Sequence, residues 1–153
     1  MRRVMLAICV MLCFAANCLA AGSDIAWNHI DLASSRTWVI IADVTSDDAA
    51  GTASEAIAAT DFHPGYLMGV ETKPDSGGTA PDNNYTVTVA SAQGSALLGG
   101  ACTGNQGNAA SEFSLPLDPD GLGYCPFVNA PPTVATASMG NSNGTTIYLY
   151  IRY

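Results

Sequence analysis

Strict alternation of apolar and polar side chains marks two segments of the chain as half-buried strands. Within Asn84–Val89, Tyr85, Val87 and Val89 fall on one face, with Thr86 and Thr88 on the other. Within Thr145–Ile151, Ile147, Leu149 and Ile151 share a face, while Tyr148, Tyr150 and the following Arg152 share the opposite one. A tyrosine has an apolar body and a polar tip, so tyrosines on a wet face can cover a neighbouring sheet or subunit. Tyr148, Tyr150 and Arg152 are therefore the candidate interaction face.

Further strands are marked by β-branched and aromatic residues between turn-forming clusters. Arg36–Val44 is bounded by serines and aspartates, and Gly65–Thr72 by His63-Pro64 and a long Pro/Gly/Asp connection. Gly51–Thr60 fits a strand slightly better than a helix, and Asp24–Leu32 reads as an irregular arm or a first short strand. Gln93-Gly94 turns into Ala96-Leu97-Leu98, and Phe113–Leu117 is another apolar run. Thr133–Ala137 and Thr145–Ile151 flank Met139–Gly144, which predicts a terminal hairpin. Seven or eight short strands with frequent turns predict an all-β fold, an antiparallel β-sandwich or a jelly-roll-like barrel.

The N-terminus changes how the rest is read. Met1-Arg2-Arg3, an apolar run from Val4 to Ala16 and small residues around Ala20 and Ala21 have the three regions of an export signal. The run is short for a membrane span, which needs about 20 apolar residues. The expected organisation is a signal-like helix over residues 1–21, cleaved after Ala20 or Ala21, and a single β-sandwich domain over residues 22–153, with no stable membrane insertion after cleavage. Beyond the leader, only Arg36, Lys73 and Arg152 face thirteen carboxylates. Such a chain cannot neutralise phosphates, so no nucleic-acid partner is expected.

Cys9, Cys13 and Cys18 also lie in the leader, leaving Cys102 and Cys125. One pair in an exported protein predicts a disulfide, contributing roughly 3 kcal/mol in the chain-entropy treatment; the alternative is two free thiols.

Chemistry-bearing patterns are sparse. His29 and His63 stand apart in sequence, with no ligand-spaced cysteine or carboxylate. Asp118-Pro119-Asp120-Gly121 has the opening rhythm of a calcium loop without its later ligands, so it reads as a turn. Asp61-Phe62-His63-Pro64-Gly65 reads as a turn leading into a strand rather than an Asp–His pair at work. No nucleophile elbow, phosphate-cradling loop or zinc-binding helix motif is present. Neither a catalytic residue, a cofactor nor a metal is expected.

Three segments carry a family likeness: Gly65–Pro74, Thr79–Val89 and Gln93–Gly100. Together they resemble a block in small structural proteins of tailed bacteriophages and prophages, mainly over residues 51–101, with a β-rich tail ending in a strand like Thr145–Ile151. The resemblance implies a virion component, a capsid decoration or tail-associated subunit, whose partners are other structural proteins of the particle or copies of itself. The leader, the Cys102/Cys125 pair and Thr86 after the tyrosine depart from the pattern. The alternative is an exported bacterial surface or periplasmic β-sandwich module, or a pilin-like subunit. Localisation is accordingly the virion, or the periplasm or exterior if the signal is used.

Overall fold

A computed structural model describes residues 24–46, 51–76 and 79–153. The expected leader helix and its cleavage site lie outside the described residues. The fold is all-β and antiparallel, with nine strands among the described residues rather than seven or eight. They are β1 (Asp24–Leu32), β2 (Thr37–Thr45), β3 (Ala53–Ala56), β4 (Gly65–Pro74), β5 (Thr86–Ala90), β6 (Glu112–Ser114), β7 (Phe127–Val128), β8 (Thr133–Ala137) and β9 (Gly144–Arg152).

The larger sheet has the order β1-β2-β9-β4-β6, and β7 also pairs with β4. The smaller sheet has the order β3-β8-β5. One apolar core lies between them: Ile40, Ala42, Val44, Leu67, Val70, Ile147, Leu149 and Ile151 from the larger sheet meet Val87, Val89 and Val134 from the smaller. The alternation in β5 and β9 has the predicted sense, since Tyr85, Val87, Val89, Ile147, Leu149 and Ile151 are all buried. The layers share polar contacts as well: the Tyr85 hydroxyl lies 3.0 Å from Thr145 Oγ1, and Thr72 Oγ1 donates to Gln106 Oε1 at 2.6 Å. Burial makes such bonds costly to lose, because an orphaned partner forfeits its hydration.

Two expectations are corrected. The terminal hairpin does not form: β8 joins the smaller sheet and β9 the larger. Their connection crosses between layers through left-handed backbone at Ser138, Gly140 and Ser142. It is held by Met139 N–H donating to Gly51 O at 3.2 Å and Asp82 N–H donating to Met139 O at 2.8 Å. Met139 itself is buried in the core. Burial of an apolar side chain at the turn therefore overrides the local hairpin signal.

The predicted disulfide is likewise absent, and both thiols are free, with Cys102 buried and Cys125 exposed. Their backbones bond to different sheets, although the Cys102 thiol meets Ser114 of β6 in the larger one. Val87 N–H of β5 donates to Cys102 O at 2.9 Å, whereas Leu67 N–H of β4 donates to Pro126 O at 3.0 Å, holding the Cys125 segment beside the larger sheet. Burial pushes the Cys102 thiol pKa upward; the adjacent Ser114 hydrogen bond opposes this.

Candidate functional site

Tyr148, Tyr150 and Arg152 lie together on the outward face of β9, as predicted, and the strand register shows what surrounds them. Three neighbouring rows cross the larger sheet: Leu32, Thr37, Arg152, Tyr66 and Phe127; then Ile30, Val39, Tyr150 and Gly69; then Asn28, Ile41, Tyr148, Glu71 and Phe113. The next row, Ala26, Asp43, Thr146 and Lys73, is polar. The face thus grades from aromatic and aliphatic at the Leu32 end to charged at the Asp43 end.

The apolar end is open to solvent. Ile30 is 49 % exposed, Tyr66 53 %, Phe127 56 % and Phe113 59 %. Their adjacency matters more than their exposure, because scattered exposed hydrophobics are ordinary and contiguous ones mark contact surfaces. Tyr66 and Phe127 pack edge-to-face with centroids 5.1 Å apart, and Phe113 and Tyr150 do so at 5.9 Å. Val39, between Ile30 and Tyr150, is buried although it points away from the main core.

Backbone irregularities shape this end. The β4–β9 register shifts between Leu67 and Gly69, and a bulge of this kind re-aims a side chain. Gly69 leaves the space in which Phe113 lies: a Cβ there would overlap the Phe113 ring. The chain between β1 and β2 forms a 3-10 turn over Ala33–Ser35, closed by Arg36 at φ 51°. Tyr153 N–H donates to Arg36 O at 3.1 Å, fixing that turn beside the end of β9.

Between these features is an open groove of about 640 Å³, lined by residues that include Arg36, Arg152, Met68, Phe113 and Tyr150. Two of the three cations beyond the leader therefore share one depression. Close by, Arg36 acts electrostatically on the Tyr153 phenol, whose hydroxyl donates to Asp31 Oδ1 at 2.9 Å. On the same face the Tyr150 hydroxyl donates to Glu71 Oε2 at 2.7 Å. Its phenol is pushed up to about 12, first by burial, then by the Glu71 hydrogen bond and charge. At the polar end, burial raises the Asp75 carboxyl and the neighbouring Asp43 adds to the shift. Neither aspartate lines the groove.

Phe113, Tyr66, Phe127 and Arg36 escaped the sequence reading. Tyr66 and Arg36 fall in segments read as strands and Phe113 in an apolar run, but only strand register and the turn at Arg36 bring them and Phe127 to Tyr150 and Arg152. The two histidines, far apart in sequence, also converge. His29 stacks on Trp38 at 4.5 Å and 18°, and His63 meets the same ring edge-on at 4.5 Å. In the turn at Asp118, the carboxylate accepts from Asp120 N–H at 3.0 Å and Leu122 N–H at 2.8 Å.

No protein-family model, no curated protein and no solved structure matches this chain.

Proposed function

We propose that the protein is a non-catalytic structural subunit of a tailed-bacteriophage particle, a capsid decoration or tail-associated protein. It packs against copies of itself or other structural proteins through the outer face of its larger sheet. The observation that carries this reading is the contiguous exposed apolar end of that face, formed by Ile30, Tyr66, Phe113 and Phe127 around Tyr150. An apolar surface of this kind gains free energy when a partner covers it, at about 25 cal/mol per Å² removed from water. The resemblance of Gly65–Pro74, Thr79–Val89 and Gln93–Gly100 to phage structural proteins supplies the class of assembly. The unequal sheets favour a sandwich over a closed jelly-roll-like barrel.

One observation favours a second reading, an exported surface module: the signal-like run Met1–Ala21. Strand exchange of the pilin kind has less support, since β9 is flanked on both sides by β2 and β4 of its own chain.

Density-gradient purification of particles from a producing culture, followed by mass spectrometry, separates the two. The subunit reading expects peptides of this chain in the particle band at the abundance of a structural component, with residues 1–21 retained if assembly is cytoplasmic. Recovery only as a processed chain from the periplasm or medium would overturn it in favour of the exported module.

A further inference from the structure

We propose that the groove beside Tyr150 receives the Asp118–Tyr124 loop of a second copy of this chain, with Asp120 entering between Arg36 and Arg152 and Leu122 against Phe113. The proposal rests on the reading above, that the outer face joins subunits, and specifies one contact by which it does so.

The groove has a definite chemical demand. Arg36 and Arg152 both line the groove, with no carboxylate among its lining residues, so an anion entering it gains from two positive charges. A carboxylate suits guanidinium groups best, because it accepts paired N–H donors. One wall is apolar, from Met68, Phe113 and Tyr150, and the other carries Ser34, Ser35 and Thr37. The occupant must therefore carry a carboxylate close to a hydrophobic group.

The same chain presents that combination elsewhere. Leu122 is 66 % exposed, and Asp120, two residues before it, is also exposed. The loop is already rigid: Asp118 N–H donates to Leu122 O at 2.8 Å, and Gly121 N–H to Asp118 O at 2.9 Å. Asp118 Oδ1 ties down the Asp120 and Leu122 amides. Gly121, at φ +79°, takes the left-handed position of the turn. A loop ordered before docking loses little entropy on binding. Asp118 is occupied within the turn, whereas the Asp120 carboxylate has no partner among the described residues.

The loop does not line the groove of its own molecule. Its base is bonded to the chain near the smaller sheet, with Leu117 N–H donating to Leu98 O at 3.1 Å. Groove and loop are different patches, so the contact either closes reciprocally into a two-fold dimer, each loop in the other's groove, or runs head to tail into chains or rings.

Sedimentation velocity on the purified protein and two charge-reversal variants, Arg152→Glu and Asp120→Arg, tests this, with circular dichroism confirming that each folds. Either reversal should weaken self-association by about tenfold or more, as charged pairs at interfaces do. Mixing the two variants should restore association, through the groove of Asp120→Arg and the loop of Arg152→Glu and through the swapped charge pair. Association unchanged by both reversals would overturn the contact, as would a mixture that stays monomeric. If the charge variants associate normally while Tyr66→Ser/Phe113→Ser does not, this contact fails and the outer-face reading survives. Wild-type protein that is monomeric yet binds glucuronate, a free sugar carboxylate, would also overturn it.

Discussion

Across the β4–β9 pair, Tyr150 donates its hydroxyl proton to the Glu71 carboxylate at 2.7 Å, so a phenol and an acid share the middle of the outer face. The phenol pKa is pushed up to about 12 from an ordinary 10.0. A raised folded-state value means that the neutral phenol is the form the fold favours. That contribution to stability is complete below about pH 10 and is lost as pH climbs toward 12. Glu71→Gln removes the charge but leaves burial, the leading cause, in place. Tyr150 should then ionise at lower pH, though still above its ordinary value, in a phenolate absorbance titration. An unchanged titration would contradict the assignment.

Tyr85→Phe should destabilise the protein by about 0.5–1.5 kcal/mol, measured by denaturant unfolding, since Thr145 Oγ1 still donates to Lys73 O. The lost hydroxyl is buried and leaves Thr145 Oγ1 without its 3.0 Å neighbour. Packing is conserved, so a cost near zero would show that the contact between layers contributes nothing.

Gly69→Ala distinguishes the outer face from the core. The added methyl displaces the Phe113 ring, which is the far end of a side chain 59 % exposed and has room to move outward. Thermal stability should fall only slightly, by about 1 kcal/mol or less. Association through the outer face should weaken clearly in sedimentation velocity. A large loss of stability with unchanged association would reverse the roles assigned to Gly69 and Phe113.

The two thiols should differ in reactivity. Cys125, exposed, should react with a soluble disulfide reagent in the native state, and Cys102, buried with a raised pKa, only on unfolding. Failure of Cys125 to react until a reductant is added would restore the disulfide.

The parts of this fold legible in the sequence are those where one strand states its own pattern. β5 and β9 alternate cleanly, so their buried faces, and Tyr148, Tyr150 and Arg152 opposite, could be read directly. Sheet membership could not, because β8 and β9 look like a hairpin locally and are parted by a buried Met139 and a connection held at Gly51 and Asp82. β1 was obscure for a related reason. Its inward positions run from buried Ile25 through Trp27 to exposed His29 and Asp31, so no single alternation spans it. β7, at two residues, carries no period at all. The cationic groove was hidden because Arg36 and Arg152 come from nearly opposite ends of the domain and meet only through the β2–β9 register.

Incorporation into particles tests the proposal that an outer face centred on Tyr150 holds this protein in a larger assembly. Wild-type protein and the Tyr66→Ser/Phe113→Ser variant would be produced in the same culture and quantified by mass spectrometry in gradient-purified particles. Both altered side chains are more than half exposed, so the fold should persist by circular dichroism. Wild-type protein should be found in the particle band and the folded variant left behind as free chain. Equal incorporation of the two, or the absence of both from the particles, would contradict it.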